Sequence, residues 1–362
     1  MKVLYIIDQS PEIGKTSGII HKIKGQISQW KNHNCSVDVL SMYSFVLYNE
    51  KFEIINDEKS FCLPKHSRYF TLLRMLISTF KLYSYLKINK YDVVYMRQRP
   101  WMPLTKLAFN GQKTIIEINT FDEKEYKVVS KLMYFINKYT RNWFYSIANG
   151  FVGVTNELAK GYTDEFKLKS IAIGNGINTK VYQVSFPKNN RPKICFVGSP
   201  GFKWHGLEKV LKLANKLLEF DFEIVGLDGE NTQNIMFHGY LSLDETKKIV
   251  ENSDVGLGTL SLYINGLTEA SPLKSRQYLA HGLPIIYAYD DTDLDGTEDF
   301  TLKIKNTPQN IDDDFEKIKK FVLRVYKNDN LRVEARSFAE NVLDVSVKEK
   351  KRIDFFEDIL KS

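Results

Sequence analysis

Residues 265–289 read NGLTEASPLKSRQYLAHGLPIIYAY, and the fold is decided by how this stretch is parsed. Thr268 or Ser271 can cap a helix, and Pro272 suits its first turn, where a missing N–H costs nothing. Leu273, Tyr278 and Leu279 supply part of an apolar stripe, Gly282 ends the helix, and residues 284–287 have the pattern of a central strand. The helix start aims free backbone N–H groups, with the positive end of its dipole, at the loop carrying Glu269. Such a loop is a seat for a phosphate or diphosphate, with a carboxylate beside it to hold hydroxyls.

Moving outward, the same alternation of strand and helix recurs. Residues 193–197 read as a strand, followed by a glycine-rich loop, GSPGFKWHG at 198–206, and a helix to about Leu218. Strands are expected at 222–225, 235–238 and 255–258, with a helix at 242–251 between the last two. The first half repeats the theme. Residues 3–7 form a strand, residues 18–31 a helix and residues 36–40 a second strand, with further strands at 92–96, 114–118, 150–154 and 170–173. One long helix is expected at about 123–148, and one or two more at 337–360. Two successive series of this kind predict an α/β protein of two doubly wound domains with a cleft between their strand ends.

The motif E-A-S-P-L-K-x-R-x-Y-L-A-x-G-L-P, from Glu269 to Pro284, resembles the donor-sugar motif of retaining family 4 glycosyltransferases, which have the GT-B fold. The resemblance runs in order along nearly the whole chain and is weakest at 42–90. It implies a domain over residues 1–180, rejoined by about 345–362, on the acceptor side. A nucleotide-sugar-binding domain would cover 190–340. Residues 174–178, GNGIN, resemble the family's hinge, and the last helix would cross back to the first domain.

The resemblance also assigns roles. Glu269 would hold sugar hydroxyls; the family's second Glu, eight positions on, is Gln277 here and would bond the ribose. Ala270, Ser271, Pro272, Leu273 and Lys274 would present the helix start to the diphosphate. Ser199 stands near the family's loop arginine and His205 near its loop lysine, so Lys203, Lys274 and Arg276 are candidates to neutralise the phosphates. Gly239 and Tyr240 fall in the segment that contacts the base. Asn119 occupies the place of a histidine near the transferred sugar, and together with Glu269 and Lys203 completes the expected catalytic group. On the acceptor side stand Gly14 and Gly18 in the first loop, and Arg97 and Arg99 just past a strand end.

Other signals compete with this reading. Gly14-Lys15-Thr16 lacks the glycine five residues earlier that a P-loop needs, since Gln9 stands there. Residues 290–293, DDTD, suggest a metal motif, but carboxylates facing a diphosphate without a metal would repel it, so a solvated loop is expected. No metal and no cofactor is expected beyond the UDP- or GDP-linked donor itself. Residues 63–90 carry Lys65, Arg68, Arg74, Lys81, Lys87 and Lys90 with no acid, between apolar residues at helical spacing. Such a helix either packs on the sheet with its cations solvated or lies on an anionic membrane.

At 362 residues, 43% apolar and 26% charged, the chain is a globular protein with room for two cores. The net charge of +7 suits nucleotides, phosphorylated lipids or an anionic membrane, and chooses none of them. Cys35, Cys62 and Cys195 are widely spaced and odd in number, which fits reduced thiols in a cytoplasmic protein. No apolar run of about 18 residues occurs, and MKVLYIIDQ reads as a first strand, not a leader. The expected partners are a nucleotide sugar, a saccharide or lipid-linked acceptor and the inner face of a membrane, with no nucleic acid. The alternatives are a sugar-nucleotide epimerase of the same architecture and a non-catalytic nucleotide-sugar-binding protein.

Overall fold

A computed structural model describes residues 1–8, 18–56 and 69–362; for 18, 19, 69–72, 128 and 129 it describes the backbone alone. Gly14, Cys62, Lys65 and Arg68 lie outside the described residues. The chain forms two compact units, Met1–Ile173 with Lys348–Ser362, and Gly174–Val347.

The first unit runs β1 (Lys2–Ile7), α1 (Gly18–Asn32), β2 (Ser36–Ser41), β3 (Val46–Tyr48), β4 (Ile54–Asn56), α2 (Tyr69–Ile88), β5 (Val93–Arg97) and α3 (Thr105–Ala108). It continues through β6 (Thr114–Ile118), α4 (Asp122–Val129), α5 (Lys131–Tyr145), β7 (Gly150–Gly153), α6 (Asn156–Phe166) and β8 (Ser170–Ala172). Its sheet has the order β4-β3-β2-β1-β5-β6-β7-β8, parallel except at β3 and β4. Strands covered on both faces must be apolar throughout, and Val3 to Ile7 are all buried. The single helix expected at 123–148 is broken. Ser130 is extended (φ −163°, ψ 124°), which ends α4, and its hydroxyl caps α5 by accepting the Met133 N–H.

The second unit runs β9 (Lys193–Val197), α7 (Leu207–Lys216), β10 (Asp221–Val225), β11 (Ile235–Phe237), α8 (Leu243–Glu251), β12 (Val255–Leu257), β13 (Glu269–Ala270), α9 (Leu273–Ala280) and β14 (Ile285–Tyr287). After these come β15 (Asp290–Asp291), β16 (Thr301–Lys303), α10 (Asn310–Asp313), α11 (Phe315–Val325), α12 (Asp329–Phe338) and the start of α13 (Val345–Lys361). Six parallel strands take the order β11-β10-β9-β12-β14-β16. Ser242 and Glu245 close a reciprocal capping box on α8. Gly282, at φ +70°, ends the turn after α9, and the fully buried β14 follows.

Residues 174–182 pack with the second unit because Ser271 accepts the Asn175 N–H (2.7 Å) and Asp344 accepts the Thr179 N–H and hydroxyl. From Lys348 the last helix belongs to the first unit. There Glu349 accepts bonds from the Trp30 indole (2.7 Å) and from Arg352 (2.7 Å), and Arg352 also donates to the Tyr95 hydroxyl (2.5 Å).

Candidate functional site

Open parallel sheets bind ligands beyond the carboxyl ends of their strands, where the strand order reverses. In the second unit the chain builds outward from β9 to β10 and β11, then resumes on the other side at β12. The reversal lies between β9 and β12. Past these two ends run the loop 198–206 and the segment Gly258–Ser261, with the first turn of α9 beside them.

Several polar groups here have no hydrogen-bond partner among the described residues. Lys274 is 9% exposed; its Nζ is buried, unbonded, and 4.4 Å from the centroid of the Phe196 ring on β9. Burial lowers this ammonium to about 7. The His205 ring stacks on Phe202 with an unbonded Nδ1; burial, and then the nearby Lys274 charge, lower it to about 3. His205 is therefore neutral at pH 7. The Thr259 and Ser261 hydroxyls are buried and unbonded too. They share one surface with the loop, because the Leu260 N–H donates to the His205 carbonyl and the Ser261 N–H to that of Trp204.

The helix start completes the group. Pro272 occupies the cap position of α9, where the sequence suggested Thr268 or Ser271, and it supplies no side-chain hydrogen bond to the first turn. The Ser271 hydroxyl is spent on Asn175 instead. No acidic residue lies in that first turn. Orphaned buried polar groups are rare in folded proteins, and a cluster of them at a switch point calls for a ligand. Free N–H groups, one cation and two hydroxyls suit an anion.

The remaining expected donor residues are distributed around this centre. Glu269, half-buried, sits on β13, which pairs in parallel with β15 (Glu269 opposite Asp290, Ala270 opposite Asp291). Ser199 and Lys203 are exposed in the loop after β9, and Gln277 is half-buried one turn beyond Leu273. Gly239 and the 82%-exposed Tyr240 follow β11, two strands from β9, where the Gly239 carbonyl accepts the Gly226 N–H (2.7 Å). Gly226, at φ +82°, passes so close to β9 that a Cβ would collide with the Gly198 oxygen.

Two expectations are corrected. Arg276 is not free to meet a phosphate: it is fully buried, donating to both oxygens of Asp291 and to Asp293 (2.9 Å). By the same contact residues 290–293 are not a solvated loop. Asp291 is buried as a bidentate partner of Arg276, while Asp290 pairs at the surface with Lys303. Among the described residues no group of three or more His, Cys, Asp or Glu could hold a metal ion.

In the first unit the order reverses between β1 and β5. A cavity of about 300 Å³ opens there, lined by Asp8, Arg97, Arg99, Asn119, Glu125 and Tyr126 among others. It gathers Asn119, Arg97 and Arg99, and Gly18 begins the neighbouring α1. The charges are largely matched. Arg99 pairs with Asp8 (3.3 Å), and Glu117, behind the strand ends, takes Lys22 (2.9 Å) and the Tyr95 hydroxyl (2.5 Å). Glu117 is held well below the carboxylate range despite its burial, chiefly by Lys22, Arg352 and Arg97. The Asn119 Nδ2 is buried and has no hydrogen-bond partner among the described residues.

Sequence reasoning missed Asp8, Glu125, Thr259 and Ser261. Their one signal is position, each lying close after a strand or at a helix start.

No protein-family profile matches the chain, and no curated protein matches it. Solved structures do. Sucrose-phosphate synthase from Thermosynechococcus elongatus superposes with a TM-score of 0.66 at 12% identity over 99% of both chains. The catalytic domain of starch synthase IV from Arabidopsis thaliana, bound to ADP and acarbose, gives 0.67 at 10% identity, covering 100% of this chain and 99% of that one. HepE of Anabaena, in complex with UDP-glucose, gives 0.63 at 12% identity over 99% of this chain and 100% of the other. The chain has the two-unit α/β fold of GT-B proteins.

Proposed function

We propose that the protein is a retaining glycosyltransferase that moves a hexosyl or N-acetylhexosaminyl group from a UDP- or GDP-linked donor to a saccharide or lipid-linked saccharide. One observation carries this reading: Lys274, in the first turn of α9, has a buried ammonium that finds no hydrogen-bond partner among the described residues, and the same is true of the Thr259 and Ser261 hydroxyls past the end of β12. The donor diphosphate completes these groups. As the bond to the sugar breaks, negative charge grows on the β-phosphate, and preorganised N–H groups with a desolvated ammonium stabilise it. Glu269, fixed beside them on β13, holds the sugar hydroxyls. Retention rests on the motif from Glu269 to Pro284.

The first-unit cavity, with its mixed donors and acceptors, takes the acceptor. Surface-polysaccharide synthesis at the cytoplasmic face of a bacterial membrane is the corresponding role. Transfer needs no divalent metal in this scheme, since Arg276 already occupies Asp291 and Asp293; activity that vanishes in EDTA would count against it.

The test is a thermal-shift screen of UDP, GDP and ADP, followed by product analysis with the matching nucleotide sugar. A diphosphate that binds the folded state at about 100 times its Kd stabilises it by about 2.7 kcal/mol. No shift with any of the three sinks the proposal. Turnover of a donor without an acceptor would favour the epimerase.

A further inference from the structure

We propose that the outer face of α5 docks on an anionic lipid bilayer; this deepens the reading of a lipid-linked acceptor and rests on it for its purpose. Leu132, Phe135, Tyr139 and Trp143 are 57, 54, 70 and 57% exposed. Spacings of three, four and four residues stack them on one side of the helix. The other side, through Asn137, Phe144 and Tyr145, is already buried in the unit. The helix is thus apolar on two faces, and only one is used by the fold. Leu107 of α3, which packs on α5, extends the patch at 57% exposure, and Trp101 meets Trp143 edge-on at 5.3 Å.

Charge decides what covers this patch. α5 contains no carboxylate. Its Arg141 is consumed on the far side by Asp122 and Glu165. Lys131 and Lys138 lie on one flank of the stripe, roughly 90° around the helix at 100° per residue. Lys106 stands beside Leu107. Among the described residues none of the three lysines has a carboxylate within salt-bridge distance. Exposed Phe, Tyr and Trp in one row, flanked by unpaired lysines, match the boundary between acyl chains and anionic headgroups. A second copy of the chain would set these lysines against an apolar stripe of the same basic character, with no carboxylate to receive them. Among the described residues no helix is long and apolar enough to cross a membrane, so the contact is peripheral.

The experiment is co-sedimentation of the full chain with vesicles of phosphatidylglycerol and phosphatidylcholine, and of phosphatidylcholine alone. Binding is expected to the mixed vesicles and to weaken with salt. Phe135→Ser with Trp143→Ser should lower partitioning at least tenfold, on the order expected for two lost aromatic anchors. Lys131→Glu with Lys138→Glu should lower it by about thirtyfold or more, from roughly fivefold per lysine. Stability with and without UDP or GDP is read on the same samples as a check on folding.

Wild-type protein that ignores anionic vesicles, or variants that bind as well as wild type, would overturn the inference. So would a dimer that the serine variants convert to monomers. Vesicle binding without any nucleotide shift would leave the inference standing and remove the glycosyltransferase reading.

Discussion

The two switch points differ in how completely the protein satisfies its own charges. At the first-unit cavity Arg99 has Asp8, and behind the strand ends Lys22 has Glu117 and Arg352 has Glu349. At the second-unit crevice, among the described residues, Lys274 meets only an aromatic ring, and the neighbouring hydroxyls and imidazole nitrogen have no partners. A buried ammonium without a counter-ion is held at the expense of stability, which is why the proposed function gives it a diphosphate as partner. The lesson is one of ligand class. A site whose charges are matched suits a neutral, hydroxyl-bearing molecule, while a site left one cation in excess suits an anion.

The contrast can be broken at several points. The largest effect is expected at Glu269: Glu269→Ala should cut turnover by about a thousandfold or more while circular dichroism stays unchanged, since the proposed function gives this residue the hydroxyls of the reacting sugar. Near-normal turnover would remove the second-unit crevice from the chemistry. Next is Arg276→Leu, which strands Asp291 and Asp293 in the interior. Removing one partner of a buried pair costs about 3–5 kcal/mol, so chemical denaturation should show a large loss of stability. A small loss would mean that these aspartates have another partner.

Lys274→Met sharpens the comparison, because binding and stability should move in opposite directions. Nucleoside-diphosphate affinity should fall by tenfold or more, on the basis of about 1.5–3 kcal/mol for a charge-assisted hydrogen bond. Stability without ligand should hold or rise, since an unpaired buried cation is replaced by an apolar side chain. A drop in both would show that the ammonium has a structural partner.

The pH dependence follows from the same residue. Its folded value, about 7, lies below the ordinary 10.5, so between these values the unfolded chain binds more protons than the folded one. Stability of the free protein should therefore rise with pH across that window, and be lost as pH falls toward 7. Diphosphate binding requires the charged form and should weaken as pH rises above 7. The comparison with Lys274→Met isolates this component, because that variant should lack both slopes. The smallest effect is expected in the first unit. Asp8→Asn should raise the acceptor KM a few fold and leave the nucleotide-induced thermal shift untouched; a lost nucleotide shift would mean the two sites are not distinct in role.

Much of the frame is legible in the amino-acid pattern alone. Residues 114–118 and 193–197 are strands at the bounds their apolar, β-branched runs indicate, and the helix expected at 242–251 forms over Leu243–Glu251 with Ser242 as its cap. The break at Ser130 is harder to see, because apolar residues recur at helical spacing on both sides of it. The antiparallel β3 and β4 give no periodic signal, being only three residues each. Ser271 illustrates a different limit: it has the right type and position for a helix cap, yet a backbone N–H almost a hundred residues upstream takes its hydroxyl.

What the sequence determined by itself was periodic and local: which runs are strands, where helices start, and that a chain of this length alternates them twice. These follow from side-chain pattern and turn chemistry within a few residues. The tertiary structure alone decided the fate of the charges. Arg276 and Lys274 are two positions apart on one helix, both buried, and nothing in their neighbourhood in sequence separates them. One meets two aspartates and becomes part of the frame; the other meets an aromatic ring beside the start of its helix and, among the described residues, finds no carboxylate. The difference arises because a helix turns by about 100° per residue, so that side chains two positions apart point into different surroundings.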